Sequence, residues 1–240
     1  MDSADYNYSV TSIAPGFNEQ NPIDWINALR TSIGELKNRN ASAIESLHAI
    51  GIAGHMHGAT LLDKNGKILH PCILWNDTRS YKQAAILDKE ENLREITGNI
   101  VFPGFTAPKL LWIQDNKPEL FEQVAKVLLP ASYLGYYLTG EFFMDMSDAA
   151  GTSWLDVGNR RWSEYALKAS NMRSDQMPKL LEGSQVASSV SKFIADELGI
   201  PRGVSVVAGA GDNAAAACGV GITEEGQGFV SIGTSGVLLT

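Results

Sequence analysis

A strand–turn–helix pattern constrains this chain more than any other feature. The apolar run at residues 204–208 leads into the glycine-rich turn at residues 209–211, after which Asp212 and Asn213 open an alanine-rich segment at residues 214–219. We expect a buried strand, a tight turn and a helix that begins with an acidic residue. A carboxylate at a helix N-terminus is stabilised by the helix dipole, and small neighbours let a ligand approach the backbone. Asp212 is therefore either a general base in a cleft or an ordinary helix cap.

The composition places the chain among globular proteins and argues against several classes of partner. Its 240 residues are 44% hydrophobic and 19% charged, enough for one large domain or two small ones. A net charge of −8 argues against a nucleic-acid partner or an anionic membrane surface. Cys72 and Cys218 form no CxxC pair, and no apolar run approaches the ~20 residues of a membrane span. We therefore expect a cytoplasmic protein without a nucleic-acid or membrane partner.

Helical and strand-like segments alternate along the chain. Helices are predicted at residues 21–37, 78–95, 107–115, 118–125, 132–138, 160–169 and 190–198. Strands are predicted at residues 47–53, 127–129, 204–208, 228–232 and 237–239. Asn65-Gly66 predicts a hairpin between the short apolar runs on either side of it. This alternation favours a mixed α/β fold with a partly parallel sheet.

Two histidines at one predicted strand end, His55 and His57, mark a second candidate site. Alternate residues of a strand point to one face, so this spacing predicts two imidazoles on the same face. Such a pair could serve a metal-dependent hydrolase with Asp212 as a further ligand, but only His48 and His70 remain to complete a histidine cluster. The flanking glycines favour instead a strand end open to a small ligand, with His57 as a hydrogen-bond donor. A histidine satisfied by nearby backbone is the alternative.

A glycine-flanked turn, Gly233-Thr234-Ser235-Gly236, lies between two strand-like runs. Its glycines permit unusual backbone angles, and its amides and hydroxyls could form an anion-binding nest. A plain hairpin turn accounts for the same four residues. The motif alone does not separate the two interpretations.

Six segments read together resemble one known family. In chain order they are GHMHGA at residues 54–59, ILWND at 73–77, GFTAPKLLWIQDN at 104–116, MDMSDAAGT at 144–152, GDN at 211–213 and GTSG at 233–236. All six are similar to segments of the FGGY carbohydrate kinases, the xylulokinases in particular. The similarity runs, in the family's order, from about residue 21 onwards.

The resemblance implies a ribonuclease H-like fold of the actin/hexokinase type, an α/β domain whose mixed sheet is flanked by helices. It also implies an ATP-dependent kinase, with Mg²⁺, that transfers phosphate to a ketopentose and converts D-xylulose to D-xylulose 5-phosphate. By resemblance, Asp212 is the catalytic base, and Met56, His57, Asp212 and Asn213 contact the sugar.

The second phosphate loop of the family corresponds to Gly233, Thr234 and Ser235, which are implied to bind the nucleotide. No residue of this chain is implied as a metal ligand. Two alternatives stay open: a kinase of another polyol or ketose, such as ribulose, fuculose or glycerol, and a non-catalytic sugar-binding protein.

The chain departs from the family pattern at both ends. Family members begin with a strand and a D-x-G-T-[ST] turn that cradles phosphates, and residues 1–18 contain no such motif. The sequence stops at Thr240, just past the second phosphate loop. We therefore expect residues 1–226 to form the sugar-binding domain without its opening hairpin, and residues 227–240 to begin the nucleotide-binding domain. Such a chain should show little kinase turnover alone, and its exposed sheet edge favours association into a homodimer.

Overall fold

The computed structural model describes residues 2–232 and 236–239. Within these residues the chain forms eleven α-helices: α1 Pro22–Arg39, α2 Ala41–Glu45, α3 Tyr81–Leu87, α4 Leu93–Thr97, α5 Thr106–Asn116, α6 Pro118–Phe121, α7 Pro130–Thr139, α8 Met146–Ala150, α9 Glu164–Ala169, α10 Lys192–Leu198 and α11 Asp212–Gly219. A short 3₁₀ helix covers Ser174–Gln176. Among the described residues, no helix is both long and apolar enough to cross a membrane.

The strands are short. In the same described ranges they are β1 Glu19–Gln20, β2 Ala49–Ile50, β3 Ala53–Gly54, β4 Thr60–Leu62, β5 Cys72–Ile73, β6 Lys126–Leu128, β7 Phe143–Asp145, β8 Leu155–Asp156, β9 Arg161–Trp162, β10 Lys179–Leu181, β11 Val186–Ser189, β12 Ser205–Val207, β13 Ala210–Gly211, β14 Phe229–Ile232 and β15 Gly236–Leu239.

Parallel pairing brings the first quarter of the chain next to its last quarter. Strand β2 pairs with β12 and β3 pairs with β13, both in parallel, and β7 pairs with β10 in the same sense. The pairs β1–β5, β4–β6, β8–β9, β11–β12 and β14–β15 are antiparallel. The strand pairing is therefore mixed, and the predicted α/β class is confirmed.

Helix α1 shows how local sequence sets the start of an element. The Asn21 side chain accepts a hydrogen bond from the Ile23 N–H at 3.1 Å. Pro22 occupies the first turn, where a helix needs no backbone donor. Trp25 and Ile26 are buried, so one face of the helix packs onto the core. The helix predicted here is confirmed.

Three predicted helices were wrong in extent. The helix predicted at residues 118–125 ends at Phe121. The other two differ for local reasons. The helix predicted at residues 78–95 is two helices, because Asn92 has a φ of 68° and interrupts the right-handed backbone. The helix predicted at residues 160–169 begins only at Glu164. The Ser163 side chain caps it there, and the two residues before Ser163 form strand β9 instead.

Two main hydrophobic clusters form the core. The larger one packs β4 and β5 against helices α3, α4, α5 and α9, and it contains Leu61, Ile73, Leu110, Leu167 and Trp154. The second packs α7 and α10 against β12, and it contains Leu138, Leu198 and Val206. The buried indole in this cluster is paired: the Trp154 N–H donates to the hydroxyl of Ser170 at 2.7 Å.

A buried ionic network holds the segment around β1 against helix α5. The Arg79 guanidinium lies 2.7 Å from a carboxylate oxygen of Glu19 and 2.7 Å from one of Asp77. It also lies over the rings of Phe17 and Trp112, 4.1 and 5.0 Å from their centroids. Because its charge is both paired and covered by aromatic faces, Arg79 can stay buried.

Candidate functional site

The candidate site forms where β3 and β13 end side by side. Ala53 pairs with Ala210, and Gly54 pairs with Gly211, in parallel register. The carboxyl ends of parallel strands meet at one edge of a sheet, and ligands of open α/β sheets bind at such an edge. Residues 55–57 continue from β3 and helix α11 continues from β13, so both segments meet at this edge.

Gly209 allows the two strands to approach this closely. Its φ is 85°, and its N–H donates to the Gly183 carbonyl at 3.0 Å while the Ala210 N–H donates to the Ile52 carbonyl at 3.1 Å. A Cβ at Gly209 would lie 1.9 Å from the Ile52 carbonyl oxygen. Only glycine fits here without a backbone shift. The glycine turn recognised in the sequence therefore sets the distance between the two halves of the site.

His57 is held in an unusual backbone conformation beside the strand ends. Its φ of 67° lies in the left-handed region, which costs a non-glycine residue about 1–3 kcal/mol. Its Nδ1 bonds to the Gly151 carbonyl at 2.7 Å, and its ring centroid lies 4.7 Å from that of Phe105. A Cβ at Gly151 would lie 2.4 Å from His57 Cε1, so this glycine makes room for the imidazole.

The protonation state of His57 decides which hydrogen bonds it can offer to a ligand. Burial lowers the pKa of His57 to about 4, against the opposing effect of the Gly151 carbonyl, so the ring is neutral near pH 7. Because a carbonyl only accepts, Nδ1 carries the single ring proton and Nε2 remains as an acceptor. The sequence predicts His57 as a donor to the ligand. The structure corrects this, because the Gly151 carbonyl already accepts the hydrogen bond from Nδ1–H.

Asp212 lies at the mouth of the site, as the first residue of α11. Its Oδ1 accepts the backbone N–H of Asn213 at 2.8 Å and the side-chain Nδ2–H of Asn213 at 3.3 Å. The carboxylate is exposed, and it lies at the positive end of the helix dipole, as the sequence predicts. One oxygen is thus oriented by Asn213, and the group is accessible to a ligand hydroxyl.

Asp148 presents a buried carboxyl group beneath this turn. Neither of its oxygens has a hydrogen-bond partner among the described residues. A Cβ at Gly211 would lie 2.8 Å from Met56 Cγ and 2.9 Å from Asp148 Oδ1, so both side chains pack directly under the strand end. Burial, together with the nearby charges of Asp145 and Asp212, raises the pKa of Asp148 well above its usual range. The uncharged acid is the form that this environment favours.

A chain of hydrogen bonds connects helix α8 to the strand end that carries Asp212. Asp145 caps α8 by accepting the N–H groups of Ser147 and Asp148 at 2.9 and 3.0 Å. The Ser147 hydroxyl donates to Asp145 and accepts the Gly211 N–H at 3.0 Å. The segment at residues 144–152 therefore braces both halves of the site.

The residues predicted to contact a sugar line one cavity. It has a volume of about 320 Å³ and is bounded by Met56, His57, Asp212 and Asn213, together with Trp75 and Val237. This volume suits a small ligand. Trp75 was not among the predicted site residues, because an aromatic residue in an apolar run more often lies in the core. Its side chain is instead 49% exposed.

His55 does not share this cavity. Its ring packs edge-on against Trp25, with 5.6 Å between the centroids, and it lines a separate cavity of about 470 Å³ that Asp212 also borders. The prediction that His55 and His57 face the same side is wrong. The strand ends at Gly54, and the left-handed turn at His57 breaks the alternation of side chains.

The structure does not describe every predicted site residue. Gly233, Thr234 and Ser235, predicted to bind the nucleotide, lie outside the described residues. In the part of the chain that the structure describes, no group of three or more His, Cys, Asp or Glu side chains is placed to hold a metal ion. The neighbouring carboxyls of Asp145 and Asp148 do not fit Mg²⁺, because both are buried and burial raises the pKa of both.

Known proteins resemble this chain in both sequence and structure. The model of the FGGY family of carbohydrate kinases, N-terminal domain, matches residues 1–219. The chain is 48% identical over 224 residues to the xylulose kinase of Escherichia coli (strain K12), covering 93% of this chain and 46% of that protein. The crystal structure of a "xyloylose kinase" from Brucella ovis superposes with a TM-score of 0.94 at 52% identity, covering 96% of this chain and 48% of that one. A xylulose kinase from Rhodospirillum rubrum superposes with a TM-score of 0.91 at 27% identity, covering 95% and 47%.

These structural neighbours are sugar kinases of the actin/hexokinase-like ATPase fold, which confirms the fold expected from the sequence. The chain spans about half the length of the curated relatives it matches.

Proposed function

Since this chain belongs to the FGGY family of carbohydrate kinases, we propose that it is the sugar-binding part of an ATP-dependent kinase that converts D-xylulose to D-xylulose 5-phosphate. The observation that carries the proposal is the convergence of Met56, His57, Asp212 and Asn213 on one cavity of about 320 Å³. The names of the relatives support the choice of substrate, since xylulose kinases match at 48% and 41% identity.

Sugar recognition rests on complementary hydrogen bonds. His57 Nε2 accepts a hydrogen bond from one sugar hydroxyl, and the Asn213 amide can both donate and accept hydrogen bonds. Trp75 offers an apolar wall to the carbon chain of the sugar. A site that pairs with particular hydroxyls rejects an analogue that lacks one, because a buried polar group is then left unpaired.

In the proposed transfer, Asp212 acts as general base. The 5-hydroxyl oxygen attacks the γ-phosphorus of ATP and forms the new O–P bond. The bond between this phosphorus and the β–γ bridging oxygen breaks, and ADP leaves with its electron pair. The hydroxyl proton passes to the Asp212 carboxylate and then to solvent, and assistance of this kind is typically worth ~10²–10⁴ in rate. Most of the remaining acceleration comes from positioning and charge stabilisation.

The nucleotide side of the proposal rests on the sequence. Gly233, Thr234 and Ser235 would hold phosphate oxygens with backbone amides and hydroxyls. Residues 1–226 would form the sugar-binding domain, and residues 227–240 would begin the nucleotide-binding domain. Mg²⁺ is proposed as a counter-ion carried by the ATP phosphates, a common binding mode for this ion.

Calorimetric titration of the purified chain with D-xylulose, D-ribulose and glycerol tests the proposal. We expect selective binding of D-xylulose. His57→Ala and Asn213→Ala should each weaken it about tenfold, because each removes a hydrogen-bonding group from the cavity. Asp175→Asn is the matched control, since this carboxylate is exposed and its partner among the described residues is the neighbouring Arg173. A folded chain that binds all three compounds equally, or none, would contradict the assignment of D-xylulose.

Asp212→Asn separates a kinase from a non-catalytic sugar-binding protein. The amide keeps the shape of the carboxylate but cannot take up the hydroxyl proton. The test needs a protein preparation in which D-xylulose stimulates the release of ADP from ATP. In that preparation Asp212→Asn should abolish ADP release, while its affinity for D-xylulose stays within a few-fold of the wild type. Unchanged ADP release would exclude Asp212 as the base.

A further inference from the structure

The ammonium of Lys109 bonds two segments that border the cavity, although Lys109 itself does not line the cavity. Its Nζ donates to the His57 carbonyl at 2.7 Å and to the Gly104 carbonyl at 2.7 Å. The side chain is fully buried within helix α5, and it is not among the residues that line the cavity. One cationic group thus bridges two segments that are far apart in sequence.

Each of the two carbonyls belongs to a segment that shapes the cavity. The His57 carbonyl follows directly from the left-handed backbone that aims the imidazole, and Thr106 Oγ1 donates to the same oxygen at 3.3 Å. Gly104 packs against the backbone of Trp75, since a Cβ at Gly104 would lie 2.3 Å from the Trp75 carbonyl oxygen. A shift of either carbonyl therefore displaces a residue that lines the cavity, His57 or Trp75.

Burying an ammonium group costs more free energy than burying an apolar side chain. Removing such a charge from water is unfavourable, and an apolar side chain of similar length would fill the same volume without that cost. Burial lowers the pKa of Lys109 to about 7, so charged and neutral forms coexist near neutral pH. Both forms carry at least two N–H groups, so both can bond the two carbonyls.

We infer that Lys109 is a positioning residue for sugar binding, which clamps the His57 turn and the Gly104–Trp75 contact in the arrangement that the cavity requires. This inference rests on the proposed function only for the identity of the ligand. Without the clamp, the left-handed turn at His57 loses the 2.7 Å hydrogen bond from Lys109 to its carbonyl, and the imidazole should leave the Gly151 carbonyl.

Nitrogen-15 spectra of the histidine rings test the clamp without any sugar. The chain has four histidines, so His57→Gln identifies the His57 signals. In the wild type we expect the Nδ1–H tautomer of His57, with a ring proton protected by Gly151. In Lys109→Met that tautomer and its protection should be lost. Loss of the lysine charge alone would not move the proton between ring nitrogens.

Leu110→Ala is the matched control, because Leu110 is equally buried on the same helix and packs into the core. It should destabilise the chain but leave the His57 tautomer intact. For D-xylulose, calorimetry should show affinity at least about tenfold weaker in Lys109→Met, and within about threefold of wild type in Leu110→Ala. An unchanged tautomer in folded Lys109→Met, or the same loss in Leu110→Ala, overturns the inference.

One further measurement keeps the test decisive. If Lys109→Met fails to fold, the labelled ammonium of the wild type is examined instead. Protons that exchange as fast as those of an exposed lysine then overturn the clamp, and protected protons support it. If the wild type binds no D-xylulose while the tautomer responds to Lys109→Met, the proposed substrate fails and the clamp stands. If D-xylulose binds equally to the wild type and to Lys109→Met, and their histidine ring spectra are identical, the clamp is refuted while the proposed substrate is supported.

Discussion

Alanine in place of Gly209 should push apart the two strands that carry the site. The backbone at Gly209 has a φ of 85°, which an L side chain rarely adopts. The added Cβ would lie 1.9 Å from the carbonyl oxygen of Ile52 and 3.0 Å from its carbonyl carbon. Both contacts are with backbone atoms, so no side-chain rotation relieves them.

Three costs follow from that geometry. The left-handed conformation costs a non-glycine residue about 1–2 kcal/mol. Separation of the strands removes the hydrogen bond from the Ala210 N–H to the Ile52 carbonyl, worth about 0.5–1.5 kcal/mol. Overpacking and the backbone shift that relieves it typically cost about 1–3 kcal/mol. We therefore expect Gly209→Ala to lower the free energy of unfolding by about 3–6 kcal/mol, a large share of the ~5–15 kcal/mol of a typical protein.

Gly203→Ala supplies the control, because Gly203 has a φ of 83° and an added Cβ there would meet nothing within 4 Å. It isolates the conformational cost, about 1–2 kcal/mol. Urea unfolding followed by tryptophan fluorescence and circular dichroism measures both variants. If the two variants lose the same stability, the close approach of Gly209 to Ile52 is not a constraint and the reasoning fails.

Three more predictions follow. Asp148→Asn should stabilise the chain at neutral pH. Because folding raises the pKa of Asp148, the wild type loses stability as the pH rises above the usual carboxyl range. In urea titrations the stability gained by Asp148→Asn should therefore vanish near pH 4 and grow with pH. A stability difference that does not depend on pH would contradict this. At pH 8 a thiol reagent should label only the exposed Cys218 in the native chain, and both cysteines in urea. Cys72 is protected in the native chain because it is buried and burial raises its pKa to about 12. Rapid labelling of Cys72 in the native chain would refute its burial. Arg79→Met should cost about 3–5 kcal/mol in chemical unfolding, since it leaves the buried carboxylates of Glu19 and Asp77 without their guanidinium partner. Exposed Arg202→Met should cost at most about 1 kcal/mol, and equal losses would contradict the buried network.

The residues around the cavity were predictable because their signals are local. Asp212 and His57 each follow an apolar run and have glycines beside them. This pattern indicates a strand end that continues into a turn or a helix. The structure places the two strand ends at one sheet edge. The roles of Asp212 and His57 in binding and proton transfer stay predictions. The phosphate loop at residues 233–236 also stays a prediction.

What sequence reasoning missed depends on contacts between distant residues. The left-handed backbone of His57 is held by bonds from Lys109 and Thr106, which nothing in residues 54–59 announces. Lys109 lies in a helix whose apolar pattern is equally that of a packing face. Trp75 reads as core because its neighbours are apolar, and only the tertiary structure shows its exposed side chain.

The pairing of β3 with β13 also has a consequence for how the protein is made. Residues 53 and 210 are partners, so more than half of the chain must leave the ribosome between them. At ~5–20 residues per second, β3 waits roughly 10–30 s for its neighbour. Meanwhile the intervening helices can pack on their own local contacts. The cavity at these strand ends therefore forms only after Ala210 and helix α11 have been synthesised. A nascent chain that has not reached Ala210 carries Met56 and His57 without the helix that completes their cavity.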